Sequence, residues 1–197
     1  MNINSSEQNI ENAFSVAKTT YVNLSKLFSA LDNVSIENGF VNIIKDQKSF
    51  LRWKSDNDPF GWLINSFIKL YQGSDIPKKI EESQSDEIRN NEFIYAIDFN
   101  LEESPILKIA KFSFDIAEWT NSPNVSDHWV YYWPLKTDNL TEFDFIEEGK
   151  YTKSTPKNKT IADKFRKLNY AKFKNISLIN ITSENFIENI FDEFKSM

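Results

Sequence analysis

Three groups of side chains along this 197-residue chain are of types that could do chemistry. The first is Ser126 to Lys136, SDHWVYYWPLK, which holds the single histidine beside Trp129, Tyr131, Tyr132 and Trp133. An imidazole can serve as a general base or a ligand contact near neutral pH, and any Ser-His-Asp triad here would have to pass through His128. No G-x-S-x-G elbow presents a serine to it. The rings around it could form a platform for a carbohydrate or an aromatic ligand, or they could fill a core.

The second group is acidic. Asp98, Glu102, Glu103, Asp115 and Glu118 fall on or beside two alternating apolar runs. Paired carboxylates can hold Mg²⁺ for phosphodiester chemistry or divide acid and base roles between them. The plainer expectation is a solvated sheet face. Asp144 followed by Glu148-Gly149-Lys150 resembles a nuclease Asp…Glu-x-Lys pattern only by chance, since the spacing is short and a glycine interrupts the strand.

The third group is basic. Between Lys150 and Lys174 stand nine of the 23 Lys and Arg residues and only one acid, Asp163, so this segment carries +8 and the remainder −14. Such segregation can mark an anionic partner, and Tyr151, Tyr170 and Phe173 are interleaved where they could stack on bases. The candidate binding residues are Lys164, Arg166, Lys167, Tyr170, Lys172 and Lys174. Arg166 is the one arginine among them, although arginine is the usual bidentate reader of phosphate and bases. A lysine-rich face paired with the chain's own acids is the alternative.

Composition removes several classes. With no cysteine there can be no disulfide, thiolate metal site or cysteine nucleophile. Four scattered glycines cannot form a phosphate-cradling G-x-G-x-x-G or Walker A loop, and one histidine cannot form H-E-x-x-H. No signal-like N-terminus or long apolar run is seen, so a cytoplasmic protein without membrane contact is expected. Aromatic residues at 15% supply ample core material.

These groups need elements to position them. Ile10, Phe14, Ala17, Tyr21, Leu24, Phe28 and Leu31 recur at steps of three and four, which predicts an amphipathic helix ending near Gly39. Two short extended segments, FVNIIK and SFLRWK, follow. Asp58 as N-cap, Pro59 at the first helical position and Gly73 and Pro77 past the end predict a second helix carrying Phe60, Leu63, Ile64, Phe67 and Tyr71. Residues 78–91 read as an exposed helix or loop. FIYAIDFNL and ILKIAKFSF alternate on either side of a short polar turn, a hairpin signal.

Residues 128–135 then read as a third strand. Its parity would put Trp129, Tyr131, Trp133 and Leu135 on a buried face and leave His128 at the strand's start, near solvent. EFDFIEEGKYTK predicts a fourth strand, and TIADKFRKLNYAKF a short helix with Ile161, Phe165 and Leu168 in register. NISLINIT is strand-like. Ser183 should cap a last helix carrying Phe186, Ile190, Phe191 and Phe194.

The expected architecture is a single α+β domain over residues 1–197, with residues 1–8 a flexible arm. It has N-terminal helices, a mainly antiparallel sheet from about residue 93, and a C-terminal helix packed on it. The expected function is a non-catalytic bacterial interaction protein that binds another protein, in the manner of an immunity protein or inhibitor. The alternatives are a nucleic-acid-binding accessory protein using residues 150–174, or a divalent-metal hydrolase using Asp98, Asp115 and Glu118. No cofactor or bound metal is expected.

Overall fold

The computed structural model describes residues 3–44, 49–54, 63–73, 93–101, 106–119, 121–177 and 185–197. Helix α1 (Ile3–Glu37) is followed by strands β1 (Phe40–Asn42), β2 (Leu51–Arg52), β3 (Ser66–Gly73), β4 (Ile94–Asn100) and β5 (Ile106–Phe114). Next come a short helix α2 (His128–Tyr132), strands β6 (Phe143–Glu148) and β7 (Tyr151–Pro156), helix α3 (Lys159–Lys164), strand β8 (Leu168–Ser177) and helix α4 (Phe186–Ser196). The fold is α+β. All strand pairings are antiparallel, in the order β1-β3-β4-β5-β8-β7-β6, with β2 also on β3. The sheet thus begins at Phe40, well before the hairpin around residue 93.

Both faces of the central strands are covered. On one face Leu24, Phe28 and Leu31 of α1 and Ile190, Phe191 and Phe194 of α4 pack over Phe67, Tyr71, Ile97, Phe99 and Ile109. On the other, Val130, Tyr131, Leu135 and Phe165 pack over Ile68, Leu70, Ala96, Phe112 and Phe173. The alternation expected of β4 and β5 assigns each side chain to the correct layer, with Ile97 opposite Ile109 and Ala96 opposite Ala110. No helix among the described residues is long and apolar enough to cross a membrane.

Three expected elements are corrected. Ser66–Gly73 is a strand and not the end of a capped helix; Asp58, Pro59 and Pro77 lie outside the described residues. The apolar positions mislead because a step of four fits both periods: Phe67 and Tyr71 share a helix face and also a strand face. What decides is burial on both sides, which leaves every residue of β3 but Gly73 out of solvent. Residues 128–132 are helical, not a strand. The helix expected from Thr160 to Phe173 stops at Lys164, because Arg166 (φ 54°) and Lys167 (φ 61°) turn left-handed and start β8. Ser183 lies outside the described residues, and α4 begins at Phe186 with Asn185 before it.

The covering helices are fastened by polar groups. Lys69, fully buried on β3, places Nζ 2.7 Å from Asp32 Oδ2 on α1 and donates to the Ser49 carbonyl at 3.1 Å. Tyr71 Oη and Asn42 Nδ2 both donate to Asp32 Oδ1 at 3.0 Å. Burial pushes the Lys69 ammonium below its ordinary pKa, and Asp32 opposes the shift. At the other end, Glu193 of α4 receives Lys150 at 2.7 Å, Lys174 at 2.5 Å and the Tyr151 hydroxyl. Burial raises its pKa, but these donors outweigh burial and hold the carboxyl at about 2.

Two substitutions test this account. Asp32→Ala leaves a buried cation uncompensated and should cost about 3–5 kcal/mol in urea denaturation. Lys69→Met should cost less than half as much, because Asp32 is partly exposed and keeps Tyr71 and Asn42. Tyr131→Phe deletes a buried hydroxyl that has no hydrogen-bond partner, so it should raise the melting temperature by the equivalent of about 1 kcal/mol. A lower melting temperature would refute that reading.

Candidate functional site

The segment after β5 is a run of short turns rather than a strand. Asn124 caps the turn Val125–Asp127 in a reciprocal box with Asp127, accepting from the Ser126 amide at 3.0 Å. The chain continues through α2 into a final turn, Trp133–Leu135, with Pro134 at its start. Helical spacing regroups the side chains that strand parity had divided. Trp129 and Trp133, four apart, now project together, while Tyr131 turns inward to meet Phe112 and Phe114 edge-on at 5.4 and 5.8 Å. Trp129 is 37% exposed and Trp133 43%, so the expected burial of a Trp129–Tyr131–Trp133 face is overturned for both indoles.

The two indoles wall a cleft of about 280 Å³ together with Trp53, which follows β2, and Tyr132. Its polar groups are Asn65, Ser66 and His128. His128 is buried, not solvent-facing, and its Nε2 lies 2.8 Å from Ser66 Oγ at the start of β3. Burial depresses the imidazole pKa to about 4, so the ring is neutral over the physiological range. A serine and a histidine in contact resemble part of a catalytic triad. However, no carboxylate among the described residues hydrogen-bonds the imidazole, and so acidic a conjugate acid makes a weak base at neutral pH. The pair joins α2 to β3.

The hairpin carboxylates are not brought together. Asp98 is fully buried, and neither of its oxygens has a hydrogen-bond partner. Burial raises its pKa to about 6 against the opposing pull of Lys108 and Lys136. Asp98 therefore does not lie on a solvated face, as its strand suggested. Asp115 is exposed beyond the end of β5, seven positions past Lys108, the cross-strand partner of Asp98, or roughly 20 Å at strand spacing. Glu102 and Glu103 lie outside the described residues, and Glu118 ends the turn Ile116–Glu118. Among the described residues no group of three or more acids and histidines could hold a metal ion.

Eight of the nine basic residues of the 150–174 segment have carboxylate partners. Lys150 and Lys174 meet Glu193, Lys153 and Lys172 meet Glu148, Lys157 meets Asp144, Lys164 meets Glu142, and Lys167 meets Asp163. Arg166 is a clamp. Its guanidinium contacts Asp127 at 2.7 Å and the Asn121 carbonyl at 3.0 Å, and lies over the Trp119 ring. Tyr170 carries the Lys153 ammonium 4.9 Å from its ring centroid.

Comparison with known protein families, with curated proteins and with solved structures finds no match. Sequence reasoning named Trp129, Trp133 and His128 but missed Trp53, Asn65 and Ser66, which come from just after β2 and from the entry to β3.

Two outcomes follow from the electrostatics. His128, at about 4 when folded, has its full stabilising contribution above its unfolded value near 6.5 and loses it as pH falls. Asp98, held at about 6, behaves oppositely: its unfavourable burial is relieved as pH falls below 6. The two should nearly cancel in the native protein. Between pH 6.5 and 4.5, Asp98→Asn should lose about 2 kcal/mol of stability and His128→Gln should gain a similar amount. Parallel pH profiles for the two variants would sink both assignments. Because its cations are already paired, the 150–174 segment should give no heparin retention beyond about 0.1 M salt; strong, steeply salt-dependent retention would restore the nucleic-acid reading.

Proposed function

We propose that this chain is a non-catalytic binding protein whose recognition site is the tryptophan cleft, and that the cleft takes a neutral saccharide ring. The observation that carries this reading is the composition of the walls: three indoles and a phenol around Asn65, Ser66 and His128, with no charged side chain among them. Flat aromatic faces suit the C–H face of a sugar, and the amide, hydroxyl and imidazole can serve its hydroxyls. A cationic guest fits less well, because Lys136 already holds its ammonium 4.7 Å from the Tyr132 ring centroid.

Titration with methyl β-glucopyranoside, followed by indole N–H shifts in the NMR spectrum, tests this. The Trp53, Trp129 and Trp133 resonances should move together, and Trp133→Ala should weaken binding about tenfold, ~1.4 kcal/mol. If a panel of simple glycosides moves none of them while tetramethylammonium does, the neutral-ring reading falls.

The protein-partner expectation stands as a second reading, supported by a different surface. The heptad-like row of α1 continues N-terminally from Tyr21, where it meets the body, through Ala17 to Phe14, 75% exposed, and Ile10, 59% exposed. Such spacing suits a partner protein's apolar helix. A partner captured by the native chain and lost with the Ile10→Asp, Phe14→Asp double variant would support it, and equal capture by both would remove it.

A further inference from the structure

A second cavity lies on the opposite face of the sheet from the tryptophan cleft. It encloses about 600 Å³ between α1 and the β2–β3 edge. Its floor is apolar and largely aromatic, from Tyr21, Leu24, Phe28, Phe50 and Phe67; the Phe28–Phe50 and Phe50–Phe67 ring centroids are 5.1 and 5.5 Å apart. At its polar rim stand Asp32 and Arg52. Both oxygens of Asp32 are occupied, Oδ2 by Lys69 and Oδ1 by Tyr71 and Asn42, so the Asp32–Lys69 pair is electrically closed. Arg52 has no carboxylate partner among the described residues, so the lining that these residues supply carries one uncompensated positive charge beside an apolar floor.

We infer that this cavity binds an amphipathic monocarboxylate, with its hydrocarbon chain over the phenylalanine floor and its carboxylate on the Arg52 guanidinium. The volume is within the range of small-molecule sites, and a planar guanidinium is the side chain best matched to a carboxylate fork. Cationic and zwitterionic amphiphiles are disfavoured by the same charge count, since the Asp32 charge is already neutralised by Lys69 and is not free to balance an ammonium. The cavity does not depend on the saccharide reading. Arg52 and Trp53 are consecutive residues that line the two sites on opposite sheet faces.

The test is isothermal titration of the full chain with sodium decanoate below its micellar concentration, with decyltrimethylammonium as the tail-matched cation. Decanoate should bind at one site per chain and raise the melting temperature, and the cation should bind at least tenfold more weakly. Arg52→Gln should reduce decanoate affinity at least tenfold. Ser29→Trp, an exposed α1 position on the cavity wall that tolerates a large side chain without disturbing the core, should abolish it. Trp133→Ala, which opens the other cleft, should leave decanoate affinity unchanged. Absence of decanoate binding, equal binding of the cation, or unaltered binding in the Ser29→Trp variant would each overturn the assignment.

Discussion

A lysine ammonium removed from water must be neutralised where it sits, and the α1 side of this molecule is organised around that requirement. Lys69 is fully buried in the middle of β3, and Asp32 on α1 is its counter-ion. Satisfying Lys69 therefore fixes the rotation of α1 on the sheet, and with it which helix face meets Phe67 and Phe99. The same carboxylate gathers Asn42 from the end of β1 and Tyr71 from β3, while Lys69 and Asn42 both reach the Ser49 carbonyl before β2. One ion pair thus sets the geometry of a helix, three strands and the cavity between them.

The second layer is held by contacts of a different kind. The turns from Asp115 to Leu135 contain little regular backbone, and they are secured by side chains reaching back to the main chain: Trp119 Nε1 to the Arg166 carbonyl at 2.8 Å, and Lys108 Nζ to the Leu135 carbonyl at 2.7 Å. The left-handed Arg166 and Lys167 backbone belongs to this arrangement, with the Asp115 amide donating to the Lys167 carbonyl at 3.0 Å. A non-glycine residue in that region is held against an intrinsic cost of about 1 kcal/mol, so it persists where several bonds require it. The basic segment's single arginine is committed to this structural task.

What the sequence revealed and what it hid divide along physical lines. The β4–β5 hairpin was legible because Tyr95, Ile97 and Phe99 alternate with Ile94, Ala96 and Asp98 at a period only a strand satisfies. The stripe of α1 was legible because steps of three and four exclude a strand. Where side chains recur every four residues the two periods coincide, and Phe67/Tyr71 and Trp129/Trp133 were each assigned to the wrong one. The site was legible only in part: Trp129 and Trp133 were visible as a pair of indoles, but Ser66 is 62 positions from His128 and nothing local links them. The acids that neutralise the basic segment were equally hidden, since Glu142, Glu148 and Glu193 meet their lysines through strand pairing and helix docking.

Strand β3 has one further property. Its first two residues look in opposite directions: Ser66 borders the tryptophan cleft through His128, and Phe67 is part of the floor beneath α1. The strand end is therefore a partition with a chamber on either side. No β3 residue is common to the two linings, so each chamber meets the strand through its own side chain.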